Sequence, residues 1–479
     1  MTYQKFATGN GLIKGILMAK LHVIGITALS FVITSCARLP QGSEEHVAGI
    51  VQERIGKEVL WNNTCYEDPR ITCYIQDLAS QSISIESAVQ IALLNNPEVQ
   101  ATFEEIGIAQ ADLVEAGLFT NPVFSVEVRY PHEKKLVTNI EYLITATFLD
   151  IFLIPLRTRL ASTELEQAKL RVANEILDLA FEVRQTYYEL VAELQMLKYT
   201  QAIAELASIQ SEIALRQHDV GNIYKLDLEE IQSIFLEADL QITQSQDEII
   251  RLREKLNRLL GFSEEICLTF PEQLPEETDY QGFDLCQLES MALQERIDLQ
   301  VARFEIIRFS RMLGLKDWWT YTNLQLGLAG ERDPDGSNLI GPGFAGEIPI
   351  FNYGQAARMR IFAQLRQAQD RLAALEIRVL SEVREAHKLL MKDLRIISKY
   401  RAGIIPLQNK IVNSSEELYN VMGLGVDRLL VNKRRETEAY RNYLIGLKSY
   451  WISRVQLDHA LGGYLFRLLP QEFTCEGVE

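Results

Sequence analysis

Metal ligands and reactive groups are scarce in this sequence of 479 residues. It contains six cysteines, six histidines and eight methionines, which are dispersed along the chain. No H-E-x-x-H or C-x-x-C motif occurs, and no histidine or methionine cluster indicates a copper or silver site. No nucleophile stands in a recognisable catalytic pattern. We therefore expect no metal, no cofactor and no enzymatic activity.

The first 35 residues have the composition of a secretory signal. Lys5, Lys14 and Lys20 precede an apolar run over residues 21–33, and no acidic residue occurs before Cys36. This run is too short for a membrane-spanning helix, whereas its length fits the apolar part of a signal peptide. We therefore predict that residues 1–35 are a signal peptide.

The boundary of this signal, Ile33-Thr34-Ser35-Cys36, resembles a bacterial lipobox. The cysteine of a lipobox receives a diacylglycerol and becomes the new N-terminus, so Cys36 is the predicted lipidation site and residues 36–83 are a lipid-anchored linker. Ala37, rather than an aspartate, follows the cysteine, which for a lipoprotein points to the outer membrane. Ordinary cleavage beside an unmodified cysteine is the alternative.

Excess positive charge and long hydrophobic runs are lacking in the rest of the chain. Removing residues 1–35 takes away three lysines and no acid, so the formal charge changes from −17 to −20. Such an acidic chain is a poor candidate for binding nucleic acid or anionic lipid headgroups. No run of eighteen apolar residues follows Cys36, so a membrane-spanning structure here can only be a closed β-barrel.

Cysteine pairing is left open by the sequence. The cysteines after the lipobox are Cys65, Cys73, Cys267, Cys286 and Cys475. In an oxidising compartment, the pairs Cys65–Cys73 and Cys267–Cys286 would each close a short loop and leave Cys475 over. Other connectivities are equally compatible with the spacing.

The most informative feature is an internal repeat of about two hundred residues. The stretch ESAVQIALLNNPEVQATFEEI (86–106) is similar to ESMALQERIDLQVARFEII (289–307), and EVRQTYYELVA (182–192) is similar to EVREAHKLLMK (382–392). Each copy predicts a helix, two short alternating segments, a very long helix, a turn and another long helix. The predicted organisation is a signal peptide (1–35), a linker (36–83), repeat 1 (84–262, strands about 122–149 and tip about 219–227), a connecting equatorial segment (263–284), repeat 2 (285–463, strands about 321–351 and tip about 420–428) and a C-terminal tail (464–479).

Heptad spacing predicts coiled coils in both repeats. In repeat 1, apolar residues recur at spacings of four and three over residues 176–197 and again over residues 228–259. Repeat 2 shows the same spacing from Ile361 onward. A helix over residues 157–218 would be on the order of 90 Å long. Pro406 should only kink the corresponding helix of repeat 2.

Two alternating segments in each repeat predict four strands per chain. Residues 122–130 (PVFSVEVRY) and 139–148 (NIEYLITATF) place apolar side chains on one face and polar side chains on the other. In repeat 2 the predicted strands are residues 322–330 and 339–351. The polar residues expected to line a barrel are Glu127, Arg129, Glu141 and Glu347, with solvation at an ordinary surface as the alternative.

The last predicted strand contains GPGFAG (341–346), which fits the G-x-G-x-x-G pattern of dinucleotide-binding turns. That pattern requires a buried strand before it and a helix that opens at its third glycine. Turn-forming residues precede the motif here, and Pro349 forbids a helix that begins at Gly346. We therefore interpret these glycines as strand residues that permit tight curvature.

Four strands cannot close a membrane barrel, because the smallest ones have about eight strands. The apolar strand faces therefore predict an oligomer. A soluble two-sheet sandwich is the alternative, but it does not account for helices that are far longer than the strands.

The duplication, the strand pairs before the long helices and the lipobox together resemble the TolC family of outer-membrane efflux proteins, in particular its lipoprotein branch. The resemblance extends from about Ser84 to Gly463. It implies a mainly α-helical homotrimer with a twelve-stranded membrane β-barrel, to which each chain gives four strands, on a long coiled-coil periplasmic tunnel. It also implies a periplasmic adaptor (membrane fusion) protein and an inner-membrane pump as partners.

Two segments resemble the helical tips at the periplasmic end of such tunnels, residues 220–232 (VGNIYKLDLEEIQ) and residues 418–435 (LYNVMGLGVDRLLVNKRR). In the family, a tyrosine and an arginine of the second tip bond an aspartate of the first tip and hold the tunnel shut. The resemblance implies that the gate residues are Asp227, Tyr419, Asp427 and Arg428, and that the adaptor-contacting residues are Gly221, Asn222, Gly423 and Gly425.

In the trimer that the resemblance implies, Asp427 from three chains would form an acidic ring that repels anions and concentrates cations.

The same residues also allow simpler interpretations. Asp227 is placed to cap the helix that follows it, and the glycines are turn residues on any interpretation.

The sequence thus predicts the outer-membrane channel of a tripartite efflux system, a passive trimeric duct for small molecules or ions that is lipid-anchored in the bacterial outer membrane. Two alternatives are the outer-membrane component of type I protein secretion and a non-conducting periplasmic coiled-coil scaffold lipoprotein. No residue pattern indicates the exported substrate.

Overall fold

The computed structural model describes residues 42–61, 69–132, 136–264, 266, 268–277, 284–319, 324–346 and 350–463. The predicted signal peptide, Cys36, Glu347 and the C-terminal tail lie outside these residues. Cys73 and Cys286 are exposed free thiols, and the other cysteines considered for pairing also lie outside the described residues.

Helices and strands follow an order that repeats along the chain. Helices α1 (Ser43–Ile55) and α2 (Pro69–Ser80) precede the repeated part. The first copy comprises α3 (Ile85–Asn95), α4 (Pro97–Ala116), β1 (Val123–Arg129), β2 (Asn139–Thr147), α5 (Asp150–Asp219) and α6 (Lys225–Leu259). The second copy comprises α7 (Leu285–Glu295), α8 (Ile297–Trp319), β3 (Gln325–Arg332), β4 (Asn338–Ala345), α9 (Gln355–Lys399), α10 (Ile405–Asn420) and α11 (Val426–Ala460). This order confirms the predicted duplication.

The chain divides into two compact units. Of the described residues, those within 110–162 and 314–354 form the sheet unit, and those within 42–109, 163–313 and 355–463 form the helical unit. No helix in the described part of the chain carries an apolar stretch sufficient to span a membrane.

The sheet unit contains one antiparallel sheet with the strand order β1-β2-β3-β4. Val126 pairs with Tyr142, Tyr142 with Gly330 and Gly330 with Ile340, so one row of side chains crosses all four strands. Because side chains alternate along a strand, the next row lies on the opposite face. The four strands and their two chemically distinct faces confirm the prediction from the sequence.

The long helix α5 begins at Asp150, seven residues before its predicted start, and includes Pro155. The Asp150 carboxylate is buried, where it accepts hydrogen bonds from the backbone N–H (2.9 Å) and the hydroxyl (2.6 Å) of Thr120. Arg157 Nη2 lies 2.5 Å from its other oxygen. A carboxylate in the first turn of a helix also interacts favourably with the helix dipole. These contacts stabilise a helix start upstream of the proline.

Seam packing holds the helices of the helical unit together. Ala204 and Ala207 of α5 contact Ala238 of α6, with Phe235 and Ile242 packed alongside. Small residues at the centre of a contact let two helix backbones approach closely, and the heptad spacing keeps these residues on the facing sides. The α6 seam residues that are buried include Leu228, Ala238, Ile249, Leu252 and Leu256, as the heptads predict.

Candidate functional site

One face of the sheet is apolar and exposed to solvent in the single chain. Phe124 on β1 is 63% exposed, Ile144 on β2 is 46% exposed and Phe344 on β4 is 69% exposed. Burial of apolar surface yields about 25 cal/mol per Å², so an exposed patch that extends over four strands marks an interaction surface. Leu328 and Ile340 belong to the same face.

The opposite face carries a row of carboxylates. Glu127 pairs with Glu141, and Glu141 pairs with Glu331, so three glutamates lie side by side on β1, β2 and β3. Arg129 Nη1 lies 2.7 Å from Glu141 Oε1, and Arg129 Nε lies 3.0 Å from Glu127 Oε1. One arginine balances one of the three negative charges, so the row retains a negative potential that favours cations.

Glu331 is a member of this row that the sequence analysis missed. The strand was predicted to end at Gly330, whereas β3 continues to Arg332. Continuing the alternation by one residue would have placed Glu331 on the polar face. Asn139, which is buried, donates a hydrogen bond from Nδ2 to Glu331 Oε1 at 2.8 Å. The predicted lining residues Glu127, Arg129 and Glu141 do lie together on this face, and their position in a lumen stays a prediction.

Gly341 and Gly343 of GPGFAG lie on the carboxylate-bearing face of β4, which ends at Ala345, before the third glycine, Gly346. Gly343 pairs with Gly327 of β3, and a Cβ atom at Gly327 would lie 2.3 Å from the Ile144 carbonyl oxygen. A Cβ atom at Gly343 would lie 3.2 Å from a methyl carbon of Leu143. Neighbouring atoms therefore approach closely at Gly327 and Gly343, which glycine permits, whereas a Cβ atom at Gly341 would meet no atom within 4 Å. The close approach accounts for Gly343 of the motif without a nucleotide.

The first tip, between α5 and α6, is a glycine-terminated turn. Gly221 has φ = 79°, its N–H donates to the His218 carbonyl at 2.8 Å, and the Asn222 N–H donates to the Gln217 carbonyl at 2.8 Å. This pair of hydrogen bonds is the Schellman arrangement, which requires a left-handed residue and so favours glycine. Asp227 Oδ2 accepts a hydrogen bond from the Tyr224 N–H at 3.2 Å, which caps α6.

The second tip, between α10 and α11, repeats this arrangement with a different residue at the critical position. The Gly423 N–H donates to the Leu418 carbonyl at 2.8 Å, and the Met422 N–H donates to the Tyr419 carbonyl at 2.9 Å. The left-handed position is therefore Met422, with φ = 56°, rather than Gly423. A left-handed methionine is strained relative to glycine, and its side chain is 95% exposed.

The four predicted gate residues all lie at the two tips. Asp427 Oδ2 accepts a hydrogen bond from Gln217 Nε2 at 3.4 Å, which connects the second tip to the end of α5. Among the described residues of one chain, Asp227, Tyr419 and Arg428 form no hydrogen bond or ion pair with one another. The predicted gate contact is therefore not made within one chain, and the role of these residues stays a prediction.

Gln217 was missed by the sequence analysis because it lies on the last turns of a long helix with no motif around it. In the described ranges, no group of three or more histidine, cysteine, aspartate or glutamate side chains is arranged to hold a metal ion.

Known proteins resemble this chain in fold and not detectably in sequence. No protein-family model matches the chain, and a sequence comparison with curated proteins finds no match. Solved structures do match. The chain is similar to CusC, whose structures concern folding and transmembrane channel formation, with a TM-score of 0.64 at 16% identity over 79% of this chain and 91% of CusC.

Two further structures give the same result. The Campylobacter jejuni CmeC outer membrane channel matches with a TM-score of 0.66 at 16% identity, over 79% of this chain and 86% of CmeC. The outer-membrane channel OprN matches with a TM-score of 0.65 at 15% identity, over 84% of this chain and 94% of OprN. The chain has the fold of these outer-membrane channels. At this level of identity the likeness concerns the fold, and it confirms the fold expected from the TolC-family resemblance.

Proposed function

We propose that this protein is the outer-membrane channel of a tripartite efflux system, a passive export duct without chemistry of its own. The observation that carries the proposal is the four-stranded sheet, which has one exposed apolar face and one face with the row Glu127, Glu141 and Glu331. A sheet with an apolar exterior and a polar interior is the building element of a membrane β-barrel. The fold shared with outer-membrane channels supports the same role.

The sheet needs further strands to form a barrel. In the described sheet, β1 and β4 each pair on one side only, so each presents a row of backbone groups without partners. Backbone groups inside a bilayer must be paired, and three copies would supply twelve strands. In such a homotrimer the apolar face of each sheet would contact lipid. The carboxylate rows of the three chains would line the lumen around one axis.

The partners and the location follow from the same proposal. Lipidation at Cys36 would hold the N-terminus at the outer membrane. The tips at residues 220–224 and 420–425 would contact a periplasmic adaptor, and an inner-membrane pump would supply the free energy of export. Because Asp227, Tyr419 and Arg428 are not bonded to one another within one chain, contacts between chains would close the tunnel in the trimer.

A matched pair of substitutions on β4 tests the proposal. Leu339 and Ile340 are neighbours with exposed side chains, 54% and 69%, on opposite faces of the sheet. A lysine on the lipid face of a barrel costs about 2–4 kcal/mol near the midplane, whereas a lysine in the lumen is tolerated. We expect Ile340→Lys to abolish heat-resistant trimers in outer-membrane fractions and Leu339→Lys to retain them.

The same experiment separates the alternatives. A non-conducting scaffold would tolerate both lysines equally, because neither face would meet lipid. Planar-bilayer recordings of the purified wild-type protein complete the test, since a protein that forms trimers and carries no current would contradict a duct. A type I protein secretion component would conduct as well, and only its pump would distinguish it.

A further inference from the structure

A second group of polar side chains lies where the carboxylate-bearing face of the sheet meets the turn between β3 and β4. The β2–β3 register pairs Ile140 with Arg332, so Asn139 and Asp333 are opposite one another just beyond this pair. Glu331 precedes Asp333 by two residues and therefore lies on the same side of the sheet. Asn139, Glu331 and Asp333 are called the rim group below.

The two carboxylates of the rim group lie close together. Glu331 and Asp333 are near enough to share a hydrogen bond, and desolvation together with this contact raises the pKa of the Asp333 carboxyl above its ordinary value. Two ionised carboxylates at this distance repel each other. Arg129 does not relieve the repulsion, since its guanidinium pairs with Glu127 and Glu141. Either a proton or a cation between the two carboxylates would remove it.

Asn139 distinguishes a cation from a shared proton. Its side chain is directed at the carboxylates, because Nδ2 donates to Glu331 Oε1 at 2.8 Å. The residue is only 6% exposed, and its Oδ1 has no hydrogen-bond partner among the described residues. A buried oxygen without a partner is costly. A proton shared by the carboxylates would leave Oδ1 in this state, whereas a cation would bind its lone pair as well.

The turn that carries Asp333 is held in place by its own hydrogen bonds. Asp335 Oδ1 accepts hydrogen bonds from the N–H (2.8 Å) and the hydroxyl (2.7 Å) of Ser337. The Asp333 N–H donates to the Ser337 carbonyl at 2.9 Å, and the Val137 N–H, in the turn after β1, donates to the Pro334 carbonyl at 3.0 Å. The Asp335 carboxylate is thus committed to its own turn, and Asp333 is positioned before any ion binds, which lowers the cost of binding.

The chemistry of the rim group fits a hard cation. Ca²⁺ takes about six to eight oxygen ligands in flexible geometry, and water often supplies several of them, whereas Mg²⁺ demands a strict octahedron. With two acidic side chains, the rim group is smaller than the metal-binding groups of three or more that the described residues lack. A site with so few charged ligands is weak, with a Kd of about 0.1–1 mM, as in extracellular calcium-binding modules.

We propose that Asn139, Glu331 and Asp333 bind a calcium ion in each chain, which ties the start of β2 to the β3–β4 turn and neutralises one end of the carboxylate row. The place of this ion rests on the proposed function. The two turns lie at the end of the sheet opposite the strand ends that continue into α5 and α9, and so at the outer mouth of the duct. The external medium would supply the ion.

The sequence analysis missed this group because its members come from different repeats. Asn139 and Glu331 are 192 residues apart in the chain, and only the pairing of β2 with β3 brings them together.

Calcium binding to the full mature protein tests the site. Equilibrium dialysis with radiolabelled Ca²⁺, after bound metal is removed with a chelator, counts the ions per chain. We expect about one saturable ion with a Kd of about 0.1–1 mM, and Asp333→Asn should weaken its binding at least about tenfold, because the charge of the ligands sets the affinity. The matched control, Asp335→Asn, removes one charge from the same turn and retains an acceptor for Ser337. Its Kd should stay within about twofold of the wild-type value.

A second variant, Asn139→Asp, places a third carboxylate where the unpartnered Oδ1 lies. Without calcium, its thermal midpoint should fall below that of the wild type, because three carboxylates repel one another. Calcium should bind it at least about tenfold more tightly and raise its midpoint more than that of the wild type. If Asn139 had only a structural role, calcium would not restore the lost stability.

Two results would overturn the site. One is the absence of saturable binding up to about 10 mM Ca²⁺, well above the expected Kd, and the other is equal weakening in Asp333→Asn and Asp335→Asn. Bilayer recordings separate these results from a failure of the duct. A protein that conducts without saturable calcium binding keeps the duct and loses the site, whereas selective binding without any current keeps the site and loses the duct.

Discussion

The ring of Tyr142 covers Gly330 across the β2–β3 pair, so that a Cβ atom at position 330 would lie 2.1 Å from Tyr142 Cζ. An aromatic side chain over a glycine protects the backbone and pins the register of two strands. Gly330→Ala should displace this ring and cost about 1–3 kcal/mol, in the range for an overpacked site. The thermal midpoint of the purified protein measures the effect.

A second glycine of the sheet provides the control. A Cβ atom at Gly341 on β4 meets no atom within 4 Å, so Gly341→Ala should leave the midpoint nearly unchanged. Both substitutions reduce the backbone freedom of the unfolded chain, and the reduction at Gly341 is smaller because Pro342 already restricts that residue. Equal losses of stability in the two variants would show that the contact with Tyr142 does not decide the choice of glycine.

Strand faces and long helices were predictable because each depends on a periodic pattern. Alternation over residues 122–130 places side chains on two faces, and heptads over residues 228–259 place Ala238 and Ile249 in a seam. These patterns specify local structure without knowledge of distant contacts. The helices, the strands and their order could therefore be predicted from the sequence.

Two kinds of feature could not be predicted from the sequence: those that depend on contacts between residues far apart in the chain, and those that depend on the backbone conformation of one residue. The left-handed conformation of Met422 goes against the usual preference of that conformation for glycine, and no residue pattern singled out Met422. The upstream start of α5 depends on Thr120, which lies 30 residues before Asp150. The backbone geometry of the second tip and the full carboxylate row could therefore be identified only from the structure.

The carboxylate row should set the charge preference of the conducted ions. Neutralising Glu141→Gln together with Glu331→Gln removes two adjacent charges per chain and leaves Arg129 beside Glu127. We expect the cation preference of the current to fall, because rings of carboxylates concentrate cations in a pore. The reversal potential under a salt gradient measures the preference. Glu115→Gln, an exposed carboxylate on α4, is the control and should retain the wild-type value.

Asp227 has both a capping contact and a predicted gate role, and two substitutions separate them. Asp227→Asn retains an acceptor for the Tyr224 N–H but loses the charge, whereas Asp227→Ala loses both. If the charge holds the gate shut, both variants should carry a larger current. Only the alanine variant should also lose about 1 kcal/mol of helix stability, the usual value of an N-terminal cap. An asparagine variant with wild-type conductance would assign Asp227 to capping alone, and Asp239→Asn, exposed on α6, is the control.

Asp150 should make the sheet unit sensitive to acid. Burial opposes ionisation of this carboxyl, but the hydrogen bonds from Thr120 and the charge of Arg157 outweigh burial and hold the pKa below its ordinary value. A lowered pKa in the folded state contributes stability that is present above the unfolded-state pKa of about 3.9 and is lost as the pH falls through the folded value.

The Asp150→Asn variant provides the measurement. At pH 7 it should be less stable than the wild type by about 2 kcal/mol, since two hydrogen bonds and an ion pair are weakened. The difference should shrink as the pH falls below about 4, where the wild-type carboxyl takes up a proton. Denaturant midpoints at a series of pH values follow this change. A difference that stays constant to pH 2 would mean that the charge of Asp150 is not what stabilises the start of α5.

The buried pair Arg184–Asp458 should be the most sensitive ionic contact of the helical unit. Its side chains are 1% and 3% exposed, so Asp458→Ala leaves the Arg184 charge in the interior without its carboxylate. The expected cost is about 3–5 kcal/mol, seen as a lower denaturant midpoint. Glu272→Ala removes the carboxylate beside Lys198, where the side chains are 60% and 84% exposed, and should cost less than about 1 kcal/mol because water already screens that pair. Since the buried pair joins α5 to the end of α11, a small effect of Asp458→Ala would mean that aromatic stacking of Tyr188 on Trp451 is sufficient to fix this end of the helix.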